Sequence, residues 1–107
     1  MNTKEFVIAF KELQMDLLEE YKDPASMSAV KLKINQLGLD HAQNEKLNQI
    51  LDNVLTDALY TVLLGLDGAA RIGSRQERYK IEDEFGELIT TPDGQLEAVA
   101  FEVFQEE

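Results

Sequence analysis

Several residue types that carry chemistry are missing from this chain of 107 residues. It has no cysteine, no tryptophan and a single histidine, so disulfides, thiol catalysis and zinc sites built on cysteines or several histidines are excluded. Long apolar runs are missing too: the longest, at residues 58–66, is far below the roughly 20 residues of a membrane span. The apolar run at residues 6–10 is too short for a secretory signal. We therefore expect a cytoplasmic protein without a membrane segment.

Positive charge is missing from the last part of the chain, since no lysine or arginine follows Lys80. The net charge is −11; the last 27 residues carry nine carboxylates, whereas the first 80 residues sum to only −2. Such an asymmetry produces a directed negative field, which attracts cationic partners and repels nucleic acid and anionic membranes. It also lowers stability through self-repulsion. The charge pattern therefore predicts a basic protein partner and argues against binding to nucleic acid or membrane.

The remaining composition, 44% hydrophobic and 29% charged residues, is typical of one folded domain. We divide this domain, residues 1–107, into a helical part, 1–66, and a second part, 67–107. The strongest periodicity lies in the helical part, where Asp40 can cap a helix whose apolar residues repeat at helical spacing over residues 47–63. Because this apolar face is wide, we expect a central helix that is covered from more than one side.

Two further helices are predicted before it. The first begins at Asn2 or Thr3, since Asn2 has a glutamate three residues later, and it ends at Asp23 because proline follows. A shorter helix would take Asp23 as its cap, Pro24 as its first residue and Gly38 as its stop. Its predicted buried face consists of Met27, Val30, Ile34 and Leu37. Part of this segment also alternates as a strand would, so that alternative stays open.

The second part of the chain predicts a β-hairpin followed by a helix. Residues 78–82 alternate with period two, residues 83–86 form a turn that ends in glycine, and a second strand follows at 87–90. Residues 70–73 can add a third strand. Residues 96–104 suit either a helix or a strand, and their alanine and glutamate content favours the helix. The predicted fold class is therefore α+β: three helices, an antiparallel hairpin of two or three strands, and an acidic C-terminal helix.

No set of residues predicts catalysis or a cofactor. His41 is the single histidine and lies at a predicted helix start, which favours an ordinary solvent-exposed residue over a catalytic one. Residues 68–75 have the glycines of a phosphate loop but lack its lysine and follow a helix rather than a strand. The hairpin carboxylates could hold calcium or magnesium, yet their order does not match the calcium-loop pattern, which favours a solvated charge run. We expect neither an enzyme nor a metal or cofactor site.

Three segments carry a family resemblance: ALYTVLLGLDGAARIG at 58–73, YKIEDEFGELI at 79–89 and LEAVAFEVF at 96–104. Together they resemble small acidic bacterial immunity proteins, which serve polymorphic or contact-dependent toxin systems. The resemblance covers the C-terminal half and implies a cytoplasmic protein that binds one cognate toxin domain and blocks it. It implies no catalytic residue.

The charge pattern and the resemblance lead to one interface hypothesis, in which carboxylates steer a basic toxin domain and nearby aromatic residues anchor it. The predicted partner-binding residues are Tyr79, Glu82, Asp83, Glu84, Phe85, Glu87, Phe101 and Glu102. Each aromatic residue also has an ordinary structural interpretation, as sheet core, turn contact or flanking core contact. The alternative function is an acidic adaptor, a secretion chaperone or a homo-oligomeric scaffold. Stable self-association, for example as a homodimer, through the wide apolar face of the third helix or through the hairpin edge would indicate it.

Overall fold

The computed structural model describes residues 1–106 and is built from α-helices. The helices are α1 (Thr3–Lys22), α2 (Ala29–Gln36), α3 (His41–Leu66) and α4 (Gln95–Phe104). Within the described residues no β-sheet forms; the extended pairing consists of two isolated antiparallel bridges, Ile72 with Arg75 and Glu82 with Leu88. The fold is therefore all-helical, and the predicted α+β class is wrong.

The caps of α1 and α3 lie where the sequence placed them. The Asn2 side chain accepts a hydrogen bond from the Glu5 amide at 2.8 Å, and the Glu5 carboxylate accepts one from the Asn2 amide at 3.1 Å. Asp40 and Gln43 form the same reciprocal pair at 2.8 and 3.0 Å. Each capping box satisfies two amides that the helix itself leaves without partners, which fixes where the helix begins.

The second helix begins five residues later than predicted, and its packing differs. Ser28 is the N-cap of α2, while Asp23 closes α1 and accepts a hydrogen bond from the Ala25 amide at 2.9 Å. No α2 residue is buried; Met27 is 78% exposed and Leu37 63% exposed. The prediction of a buried α2 face is therefore wrong, although a helix rather than a strand does form.

The core lies at one end of the molecule, where α1, α3 and α4 meet. Its fully or nearly buried apolar members are Val7, Leu63, Leu96, Ala100 and Phe104. Beyond that core a polar contact continues the packing of α1 on α3: the buried Gln14 side chain donates to the carboxylate of Asp52 at 2.8 Å and to the hydroxyl of Thr56 at 2.9 Å. The molecule is elongated, 49 × 28 × 28 Å.

The predicted hairpin is replaced by a long loop, residues 67–94, with a tight turn in it. Side chains take two of the amides that a ladder would use: the Ile81 amide donates to the Thr90 hydroxyl and the Glu87 amide to the Asp83 carboxylate, both at 2.9 Å. Two backbone bonds across the turn remain, from the Ile89 amide to the Ile81 carbonyl at 2.8 Å and from the Asp83 amide to the Glu87 carbonyl at 3.0 Å. Serine, threonine and aspartate compete with regular structure in this way.

The last segment forms the helix α4, as the sequence favoured, and covers one side of α3 together with α1. The opposite side of α3 stays open: Ile50, Val54 and Val62 are 49%, 54% and 42% exposed. Within the described residues α3 is therefore covered by α1, by α4 and, at its end, by Ile72, while its outward face stays exposed.

Candidate partner-binding surface

The predicted acidic residues around position 84 form one turn, which we call the acidic turn, residues 82–87. The Asp83 amide donates to the Glu87 carbonyl at 3.0 Å, and the Gly86 amide donates to the Asp83 carbonyl at 3.0 Å. Gly86 has a φ of 85°, a conformation that glycine adopts without strain. Since the Asp83 carboxylate also accepts the two turn amides, this side chain shapes the turn from within.

The amino terminus holds the turn in place. The Met1 ammonium donates to the Asp83 carboxylate at 2.5 Å and lies 3.2 Å from a Glu87 carboxylate oxygen. The hydrogen bonds that the ammonium donates, first to Asp83 and then to Glu87, raise the pKa of the amine above its ordinary value. The same ammonium, followed by the Glu87 and Phe85 amides, lowers the pKa of Asp83. Two of the four turn carboxylates are therefore engaged in holding the structure together.

The other two carboxylates face solvent. Glu82 and Glu84 are exposed, and neither forms an ion pair with another residue between positions 1 and 106. Between them and Glu87 lies Phe85, which is 86% exposed, more than any other large apolar residue described. The turn thus presents one aromatic ring beside two unpaired negative charges.

The structure assigns the remaining predicted residues to other places. Phe101 is 51% exposed on α4, and Glu102 beside it is exposed. No hydrogen bond or ion pair in the described part of the chain joins either of them to the acidic turn. Tyr79 is half-buried in the wall of a neighbouring cavity. The geometry therefore supports the acidic turn as one surface and does not gather all eight predicted residues.

The cavity beside the turn was not anticipated. It has a volume of about 360 Å³, and its wall includes Asp67, Tyr79, Lys80 and Leu88. Arg78 closes one side, where its guanidinium donates to the carbonyls of Thr91 and Pro92, both at 3.1 Å. The wall of the cavity comes from three parts of the loop, Asp67, residues 78–80 and residues 88–92, so the spacing of residues in the sequence does not predict it.

Asp67 connects two helices at the base of this loop. It closes α3, is 5% exposed, and accepts a hydrogen bond from the Glu97 amide in the first turn of α4 at 3.0 Å. Its second carboxylate oxygen is buried and has no hydrogen-bond partner among the described residues. Asp67 therefore caps α4 from outside that helix, at a separation of 30 residues along the chain.

The described residues give little support to a site around His41 or to a metal site. His41 is exposed and lies 3.1 Å from Glu45, one turn later on α3. Across residues 1–106 no cluster of three or more potential metal ligands forms. No helix in that range is long and apolar enough to cross a membrane.

Comparisons with protein families, with characterised proteins and with solved structures find no match for this chain.

Proposed function

We propose that this protein is an immunity protein that binds a cognate basic toxin domain and neutralises it through the acidic turn. The observation that carries the proposal is Phe85, held 86% exposed on a turn whose neighbours Glu82 and Glu84 are unpaired. An exposed aromatic side chain flanked by charged residues is typical of an anchor residue in a protein interface rather than of an ordinary loop. The resemblance described for residues 79–89 supports the same interpretation.

The two kinds of side chain would contribute differently. Unpaired carboxylates and the net charge of −11 attract a basic domain from a distance and speed association, an effect that salt weakens. Burying the ring of Phe85 contributes affinity, roughly 2 kcal/mol for its apolar surface alone. Charge therefore governs the association rate, and the aromatic anchor governs the dissociation rate.

The turn is also prepared for binding before the partner arrives. Asp83 accepts two turn amides and binds the Met1 ammonium, so the backbone around Phe85 is fixed in the free protein. A surface that is already ordered loses less conformational entropy on binding. Neutralisation would then require no chemistry, since the bound turn covers a cationic surface that a nucleic-acid-directed toxin needs for its own substrate.

The experiment first sequences the DNA that flanks this gene and, where a large neighbouring reading frame ends in a short basic domain, uses that domain as the partner. We measure its association and dissociation rates with the wild-type protein, with Phe85→Ala, and with the pair Glu82→Lys and Glu84→Lys. The lysine pair is expected to slow association about tenfold or more at low salt. Phe85→Ala is expected to weaken binding by about 2 kcal/mol, mainly through faster dissociation.

A matched control is available on α1. Glu12 and Glu19 are exposed, so Glu12→Lys with Glu19→Lys changes the net charge equally at a distance from the turn. Equal slowing by both lysine pairs would show that the acidic turn is not the interface. If the neighbouring frame encodes no toxin-like domain, or if that domain does not bind, the proposed function is wrong.

A further inference from the structure

The cavity beside the acidic turn is separate from the proposed toxin contact, because Glu82, Glu84 and Phe85 are not part of its wall. It lies within the loop at residues 67–94. Loops of this length without helices or strands are uncommon in compact domains and usually carry a function. The cavity volume of about 360 Å³ lies at the small end of the range found for ligand pockets. The cavity is therefore a candidate site for a small molecule.

Arg78 is held in the cavity wall at both ends of its side chain. Its stem lies over Gly68, where an added Cβ would meet the Arg78 Cγ at 2.5 Å. Its guanidinium Nη2 donates to the carbonyls of Thr91 and Pro92, both at 3.1 Å. The other two guanidinium nitrogens, Nε and Nη1, take no part in these bonds. Because the side chain is already ordered, a ligand that contacts it loses less free energy on binding.

The wall carries two positive charges that have no carboxylate partner. Neither Arg78 nor Lys80 forms an ion pair with any residue between positions 1 and 106. A shortage of acids is not the cause, since nine carboxylates follow Lys80 in the sequence. The acidic residue of the wall, Asp67, uses one oxygen to accept the Glu97 amide at 3.0 Å, and its other oxygen is buried. The accessible charge of the wall is therefore positive.

The rest of the wall offers apolar surface. Leu88 and Pro92 contribute aliphatic groups, and Tyr79 contributes a half-buried ring. Leu88 is 43% exposed, so its side chain is accessible to a bound molecule. Small-molecule sites typically combine such apolar surface with a few fixed polar groups that orient the ligand. The wall therefore fits a ligand that has an apolar body and one negatively charged group.

We propose that this cavity binds a small organic monoanion, a carboxylate attached to an apolar body. The carboxylate lies against the guanidinium of Arg78 and the ammonium of Lys80, and the apolar body packs on Leu88, Pro92 and the ring of Tyr79. A guanidinium suits this group because its planar donors match the geometry of a carboxylate. The net charge of −11 disfavours ligands with several negative charges, which is why the ligand is a monoanion. This site does not depend on the toxin-binding role.

The test is a titration of the intact, isotopically labelled chain with benzoate, followed by NMR of the backbone amides. Benzoate is expected to shift the amides of residues 78–80 and 88–91 with a dissociation constant on the order of 1 mM, which suits a ligand of about nine non-hydrogen atoms. Benzamide keeps the ring and removes the charge, benzylamine reverses the charge, and acetate keeps the charge and removes the ring. Each of these three compounds is expected to bind at least about tenfold more weakly than benzoate.

Three variants test the charges of the wall. Lys80→Gln should weaken benzoate binding about threefold to fivefold, and it leaves the fold intact because Lys80 is exposed and forms no ion pair within residues 1–106. Lys33→Gln is the matched control, since Lys33 is exposed on α2 and its loss changes the net charge equally. It should leave the affinity within about 1.5-fold of wild type. Asp67→Asn keeps an acceptor for the Glu97 amide and removes the negative charge of the wall, so benzoate should bind about twofold more tightly.

Three results would overturn the proposal. The first is benzamide or benzylamine binding as tightly as benzoate, because the wall would then not select an anion. The second is benzoate leaving the amides of residues 78–80 and 88–91 unshifted, whether it binds elsewhere or not at all. The third is equal weakening by Lys80→Gln and Lys33→Gln, which would show a response to net charge rather than to the wall. None of these results bears on toxin binding, since Phe85 lies outside the cavity wall.

Discussion

Asp67 joins the end of α3 to the start of α4, and replacing it by alanine tests this contact directly. The first residue before α4, Gly94, has no side chain with which to cap the helix. Asp67 supplies the missing acceptor from the end of α3, at 3.0 Å from the Glu97 amide, and is 5% exposed. Asp67→Ala would leave that amide without its partner.

The size of the effect follows from opposing contributions. Losing a helix cap costs about 1 kcal/mol, with a range of roughly 0.5–2. A negative charge at the start of α4 adds up to about 1 kcal/mol, but the same charge lies at the end of α3, where the helix dipole opposes it. The second Asp67 oxygen is buried without a partner among the described residues, which reduces the benefit further. The two dipole contributions offset each other, so we expect a net loss of about 1 kcal/mol.

Urea denaturation followed by circular dichroism measures this loss of unfolding free energy, and thermal denaturation followed in the same way measures the melting temperature. Asp67→Ala is expected to lower the melting temperature by about 4 °C, because 1 kcal/mol corresponds to about 4 °C for a chain of this size. Asp67→Asn keeps an acceptor for the Glu97 amide and should lose less than half as much. Asp16→Ala, at an exposed position on α1, is the control and should stay within about 0.5 kcal/mol of wild type. Wild-type stability in Asp67→Ala would refute the capping role, and higher stability would show that the unpaired oxygen dominates.

The other predictions concern the core and the amino terminus. Leu63→Ala should lower the unfolding free energy by about 3–4 kcal/mol because Leu63 is fully buried, whereas Val54→Ala should cost less than about 1 kcal/mol; equal losses in urea denaturation would contradict the one-sided core. The raised pKa of the Met1 amine contributes stability that is present below about pH 8 and is lost as the pH rises through the folded value. The lowered pKa of Asp83 contributes stability that is present above about pH 4 and is lost as the pH falls through the folded value. Acetylating the amine should therefore destabilise the protein mainly between these limits and raise the Asp83 pKa measured by NMR; an unchanged Asp83 titration would show that the two groups do not interact in solution.

The predictable parts of the fold are those that neighbouring residues decide. Asn2 and Asp40 cap their helices through residues three positions away, so the sequence locates both helix starts. The start of α2 was misplaced because Asp23 and Pro24 satisfy the same local pattern as a true cap. In the structure Asp23 instead ends α1, and Ser28 caps α2. Asp23 and Ser28 offer equally good caps, so the local sequence does not decide at which of them α2 begins. Tertiary packing decides it.

The hairpin prediction failed for a different reason. The alternating pattern at residues 78–82 describes which side chains share a face, but it does not show where the backbone hydrogen bonds go. Thr90 and Asp83 take amides that strand pairing would use, and one bridge between Glu82 and Leu88 remains. Local side-chain acceptors therefore outweighed the pattern.

The candidate site could be predicted only in part. The acidic run and Phe85 are visible in the sequence, and the structure shows that the ring is exposed and that Glu82 and Glu84 are unpaired within the described residues. The contact between Met1 and Asp83 spans 82 positions, so no local pattern signals that Asp83 is a structural residue rather than a free charge. Long-range contacts of this kind are decided by how the helices pack.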